Sequence, residues 1–154
     1  LGSISKAVDL AIPLIKKWEG FRSKPYLCSA GVPTIGYGST YYFDGRKVTL
    51  QDGAINESDA NDLLYHSIIN TFAPSAIRLC PILINYPSKL AAVISFCYNL
   101  GSTRLSASTL RRRINAEMWE EAGNEFRKWV YGGGVKLKGL VLRREDERKL
   151  FLME

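Results

Sequence analysis

Residues 18–38 read Trp18-Glu19-Gly20-Phe21-Arg22-Ser23-Lys24-Pro25-Tyr26-Leu27-Cys28-Ser29-Ala30-Gly31-Val32-Pro33-Thr34-Ile35-Gly36-Tyr37-Gly38, and the chain changes character inside this stretch. Upstream of it, apolar residues recur with a helical period at Ala7, Leu10, Ala11, Leu14, Ile15 and Trp18. Pro13 either opens that helix proper or kinks it, and Gly20 is placed to end it. Downstream, Pro25, Gly31, Pro33, Gly36, Gly38 and Gly45 cut the sequence into short β-prone pieces at 34–37, 39–43 and 47–50, with Asp44-Gly45 as a hairpin turn. One helix running into a small antiparallel sheet, with helical periodicity resuming afterwards, predicts an α+β chain.

The second helical stretch starts at Asn56, a capping residue with Asp59 three positions on, and carries its apolar stripe at Ala60, Leu63, Leu64 and Ile68. Pro87 suits the first turn of the next helix. From Leu90 to Leu100 that helix is apolar on nearly every side, as a buried central helix would be, and Gly101 ends it. A short helix is expected near 106–114. Asn115 is expected to cap another, with Met118, Trp119, Ala122, Phe126, Trp129 and Val130 on one face as core rather than as a carbohydrate platform. Gly132-Gly133-Gly134 reads as a flexible break, and 140–153 as a final helix whose Arg143, Arg144, Arg148 and Lys149 form a solvated face.

Glu19 stands at a helix C-terminus between Trp18 and Gly20. There the negative end of the helix dipole and an apolar neighbour both disfavour a carboxylate, which would raise its pKa and suit a general acid. Position alone fits an ordinary solvated helix-end glutamate equally well. The glycines around Thr34 permit close backbone approach, as a polymer lying across a sheet edge would need.

The spacing Glu19, Cys28, Thr34, followed by Ile35-Gly36-Tyr37-Gly38, resembles that of the phage-type lysozymes, the muramidases of glycoside hydrolase family 24. The resemblance continues through Ser95-Phe96-Cys97-Tyr98-Asn99-Leu100-Gly101, Ser108-Thr109-Leu110, Gly139-Leu140 and Arg143-Arg144, so it covers essentially the whole chain. It implies a lysozyme-like two-lobed fold in a single domain over 1–154. The sheet lobe takes about residues 20–55 and the helical lobe about 56–154, with helix 1–19 packed on the latter and the cleft between lobes. It also implies hydrolysis of the β-1,4 bond between N-acetylmuramic acid and N-acetylglucosamine in bacterial peptidoglycan. Glu19 would protonate the leaving oxygen, Cys28 and Thr34 would position or activate water, and Tyr26, Gly38 and Asn99 would contact substrate. Neither cofactor nor metal is implied. Most family members carry aspartate where this chain has Cys28. A thiol must lose its proton to act as a base, from a reference pKa of about 8.5.

Composition narrows the alternatives. The 154 residues are 46% apolar with a net charge of +6, and the basic excess sits at the two ends: seven basic and three acidic residues in 1–50, two and four in 51–102, twelve and eight in 103–154. That balance favours an anionic partner such as a cell-wall polymer. No helix-turn-helix or RNA-recognition signature points to nucleic acid, and the longest apolar runs are too short to cross a bilayer. With one histidine, His66, and three cysteines lacking C-x-x-C spacing, a metal site is not expected. Cys80 and Cys97 read as inert core thiols. A monomer acting in the periplasm or outside the cell is the simplest expectation, and the upstream end leaves room for an export segment. Two rival readings remain: an inactive lysozyme-like glycan-binding module, and a cell-wall amidase with Cys28 as nucleophile and His66 as its base.

Overall fold

The computed structural model describes residues 2–154; Leu1, which the sequence reading places in the first helix, lies outside the described residues. Helix α1 runs unbroken over Gly2–Glu19 with Pro13 inside it, so Pro13 does not open the helix. Strand β1 (Arg22–Leu27) pairs antiparallel with β2 (Pro33–Gly36), Tyr26 lying opposite Thr34. The expected strands at 39–43 and 47–50 are reduced to single bridges, Ile35 to Ser39 and Tyr41 to Lys47, around the Asp44-Gly45 turn. The first strand was hidden in the sequence because Pro25 and its polar neighbours break the alternation. An irregularity between Arg22 and Tyr26 accommodates the proline, which has no N–H for the ladder.

Helix α2 (Glu57–Ser67) begins as expected, Asn56 Oδ1 accepting from the Asp59 N–H at 2.8 Å. It passes through one wide π turn (Ile68–Phe72) into α3 (Ala73–Leu79). Pro74, which lacks the N–H an α-helix would aim at Asn70, accounts for the widened turn. After a 3-10 turn (Pro81–Asn85), α4 (Pro87–Leu100) forms the centre of the molecule: every residue from Ser88 to Cys97 is buried. Helices α1 and α8 (Lys138–Phe151) flank it.

Three local expectations are corrected. The helix expected near 106–114 is two, α5 (Ser102–Ser106) and α6 (Thr109–Asn115), because Ser108 caps the second by accepting from the Arg111 N–H. Asn115 ends α6 and donates to the Leu79 carbonyl, while α7 (Trp119–Phe126) starts without a side-chain cap. The triple glycine is a hairpin, not a break: β3 (Tyr131–Gly132) pairs with β4 (Val135–Lys136), and Gly133 and Gly134 take the positive φ values of a tight turn.

Two apolar cores result. The larger is built on α4, with Phe96 edge-on to Phe126 and Trp129 at 5.8 and 5.5 Å between ring centres, so the aromatic stripe of α7 is core as expected. A small one, Ile35, Val48 and Leu63, holds the sheet region. Helix α2 joins them: Leu63 faces the small core, Ala60 and Leu64 the large one. This double commitment fixes the sheet against the helices and leaves a cleft along the seam.

Candidate active site

Glu19 is delivered to the cleft by the end of α1. Its carboxylate is half-buried, and Oε2 accepts from Arg143 Nη1 at 2.7 Å. The sequence's apolar neighbour, Trp18, lines the same groove as Glu19, and a guanidinium the sequence did not offer stands against the carboxylate. Arg143 and Arg144 are 3% and 0% exposed, which overturns their reading as a solvated face. They lie on the inner side of α8, where Glu147 follows at i+4 and i+3 and pairs with both. Burial pushes the Glu147 carboxyl up, and the Arg144 and Arg143 guanidiniums and the Ser95 hydroxyl oppose that.

Gly38 lies directly over the Glu19 carboxylate. Its φ is +85°, and a Cβ built there would stand 2.6 Å from Glu19 Oε1 and 3.3 Å from a Tyr98 ring carbon. Glycine is required both by the backbone and by the approach. The Tyr98 hydroxyl donates to the Tyr37 carbonyl, pinning this loop to α4.

Cys28 and Thr34 come together at the end of the β1–β2 hairpin. The Cys28 N–H donates to the Val32 carbonyl at 3.0 Å and the Gly31 N–H to the Cys28 carbonyl at 2.8 Å, closing a tight turn. Thr34 is buried on β2, its hydroxyl donating to the Val32 carbonyl at 2.8 Å. Partial desolvation pushes the Cys28 thiol up, but the N–H groups of Val32 and Ala30 and the Thr34 hydroxyl outweigh it, so the thiol lies below its ordinary value. Burial dominates at the other two cysteines, pushing Cys80 up to about 11 and Cys97 up to about 12.

Tyr26 links the two halves. Arg22 stacks over its ring at 4.2 Å. Burial, and after it the charge of Glu19, push its phenol up, against the opposing pull of Arg22. Asn99 closes the other side: its Oδ1 accepts from Arg144 Nη2 at 2.9 Å. It lines a groove of about 390 Å³ together with Glu19, Trp18, Leu140 and Arg143. A neighbouring depression of about 660 Å³ shares Asn99 and Leu140 and extends to Ser29, Ala30 and Tyr131. A third, of about 400 Å³, has Gly38 and Tyr98 on its wall and runs between Thr40–Phe43 and the residues Ser67, Thr71 and Phe72. The first two depressions meet at Asn99 and Leu140, and Gly38, which packs on the Glu19 carboxylate, lines the third.

Of the six sequence-assigned residues, Glu19, Gly38 and Asn99 line these depressions, while Tyr26, Cys28 and Thr34 lie on the β1–β2 hairpin, with Thr34 buried. His66 is not brought to Cys28: its ring is edge-on to Phe43 at 5.1 Å and its Nδ1 lies 3.2 Å from Asn70 Nδ2. What sequence reasoning missed is the layer beneath Glu19. Ser95 and Arg143-Arg144 stood in the motifs that carry the resemblance, but the burial of the arginines and their pairing with Glu147 left only the i, i+3 and i+4 charge spacing as a signal, which solvated helix faces also show.

Residues 16–147 match the phage lysozyme family. The chain is 39% identical over 146 residues to the endolysin of Bacillus phage B103, covering 92% of this chain and 52% of that protein, so it spans about half of that relative's length. It is 34% identical over 147 residues to the endolysin of Acyrthosiphon pisum secondary endosymbiont phage 1, covering 93% of this chain and 95% of that one. Among solved structures, the endolysin from Escherichia coli O157:H7 phage FAHEc1 superposes with a TM-score of 0.80 at 28% identity, covering 96% of this chain and 91% of that one.

Proposed function

The chain belongs to the phage lysozyme family and carries its glycoside hydrolase fold, and we propose that it degrades bacterial peptidoglycan by hydrolysing the β-1,4 bond between N-acetylmuramic acid and N-acetylglucosamine. The observation that carries this reading is the position of Glu19: a half-buried carboxylate that lines a groove with Asn99, held by Arg143 under Gly38, with Cys28 and Thr34 at the end of the β1–β2 hairpin. The sheet lobe, about 20–55, and the helical lobe, about 56–154, form the two walls.

In the proposed reaction Glu19 gives its proton to the glycosidic oxygen as the bond to the anomeric carbon breaks. A water held by Cys28 and Thr34 attacks that carbon from the opposite face and loses a proton to the Cys28 thiolate. The lowered thiol and the buried hydroxyl beside it suit a water-activating pair. Attack by water inverts the anomeric centre, whereas attack by sulfur itself would retain it. Tyr26, Gly38 and Asn99 shape the glycan path. The enzyme works as a monomer on the wall, in the periplasm or outside the cell. The amidase reading lacks a base for Cys28, since His66 is engaged with Phe43 and Asn70.

Digestion of purified peptidoglycan, borohydride reduction and mass spectrometry test this function. Reduced N-acetylmuramic acid ends are expected; released peptides with intact glycan strands would show an amidase, and no product would show a binding module.

A further inference from the structure

Beneath the cleft floor lies a carboxylate that the proposed reaction does not use. Glu147 is fully buried on α8. Its Oε2 accepts from Ser95 Oγ at 2.6 Å and from Arg144 Nη2 at 3.0 Å, and Arg143 Nε lies 3.5 Å away. Its Oε1 is 2.7 Å from Arg144 Nε. Each guanidinium then reaches one residue of the cleft: Arg143 Nη1 donates to Glu19, Arg144 Nη2 to Asn99. Arginine does not shed its proton, so two buried guanidiniums must be matched by buried carboxylates. Among the described residues Arg144 pairs with Glu147 alone, and Arg143 with Glu147 and Glu19, so without Glu147 the only carboxylate left against either guanidinium is Glu19 on Arg143.

We propose that Glu147 is a positioning residue for the reaction: it holds Arg143 against Glu19 and Arg144 against Asn99, and its negative charge lets Glu19 keep a proton to give. The proposal rests on Glu19 acting as the general acid. The groups around the pair are few. Glu147 meets Arg143 and Arg144 from its own helix and Ser95 from α4, and its charge reaches the Cys97 thiol. Glu19 meets Arg143 from α8 and is felt by the phenols of Tyr98 from α4 and Tyr26 from β1. Removing the charge of Glu147 leaves an excess of positive charge beside Glu19. That stabilises the ionised carboxylate, so the acid loses its proton at lower pH.

The test is Glu147→Gln, measured as the pH profile of kcat/KM on peptidoglycan fragments and as the titration of 13C-labelled Glu19 by NMR. The alkaline limb and the Glu19 titration are both expected to move to lower pH by about one unit, a roughly tenfold lower rate above the limb. Glu147→Asp should restore the limb. A folded Glu147→Gln variant with the wild-type limb and titration overturns the proposal. Should that variant fail to fold, the wild-type spectrum decides: Glu147 ionised across the active pH range is expected, and Glu147 protonated there overturns it. Failure of the hydrolase reading would show separately, as absence of glycan cleavage by wild type, while the NMR shift of Glu19 would still test Glu147.

Discussion

Replacing Gly38 by alanine should cripple the enzyme far more than it destabilises it. The new methyl carbon would sit 2.6 Å from Glu19 Oε1, about an ångström inside ordinary contact, on a backbone with φ of +85°. The backbone alone costs about 1–2 kcal/mol for a residue with a Cβ. The contact is relieved only if the loop rises or the carboxylate retreats from Arg143, whose bond at 2.7 Å would be stretched. A chain of this length loses about 2–4 °C of Tm per kcal/mol, so a fall of roughly 2–8 °C is expected. An ångström of misplacement at a reacting group costs about a hundredfold in rate. The control is Gly134→Ala, at φ of +80° in the β3–β4 turn with no atom within 4 Å of the added carbon. It carries the same backbone strain without the contact, and should lose a similar amount of Tm with a rate near wild type. Calorimetry and initial rates of peptidoglycan solubilisation on both variants decide. Gly38→Ala with wild-type kcat would refute the claim that close approach to Glu19 is what this glycine provides.

Other expectations concern the thiols, the acid limb of stability and the C-terminal contact. Iodoacetamide should alkylate Cys28 in the folded protein with a midpoint below that of an ordinary thiol, and abolish activity, while Cys80 and Cys97, pushed up to about 11 and about 12 by burial, stay unmodified; peptide mass spectrometry across pH reads this directly. Asp52 is held at about 2 by the Thr49 hydroxyl and N–H and by Tyr42. A depressed carboxylate stabilises the fold above its unfolded pKa of about 4 and loses that contribution as pH falls toward 2, so Asp52→Asn should flatten the melting temperature between pH 5 and 2, as measured by acid-range calorimetry. The Glu154 side chain caps α4, accepting from the Ser88 N–H at 2.7 Å, so Glu154→Ala should cost about 0.5–2 kcal/mol in denaturant melts with activity retained.

The parts of the fold legible in sequence were those where local chemistry and tertiary packing agree. Asn56 caps α2 because its side chain needs nothing but the backbone N–H three residues on, and Leu90–Leu100 is apolar all round because α4 is surrounded. Strand β1 was illegible because its pairing with β2 is irregular around Pro25, so no alternation survives to be read. The spacing of Glu19, Cys28 and Thr34 was readable through resemblance, and the hairpin explains it physically: Tyr26 opposite Thr34 brings positions six apart, Cys28 and Thr34, to one end of the ladder. The layer below was not readable. A helix bearing Arg143, Arg144 and Glu147 has the composition of a surface helix, and only its packing against Ser95 on α4, 48 or more residues away, turns those charges inward.

The central claim is that Glu19 supplies the proton that breaks the glycan. It is tested most directly by comparing wild type with Glu19→Gln, matched for melting temperature, in the release of reducible N-acetylmuramic acid ends from purified peptidoglycan. Loss of the general acid predicts a fall of about 10²–10⁴-fold in the rate of end formation. A folded Glu19→Gln protein that forms those ends at the wild-type rate would contradict the account.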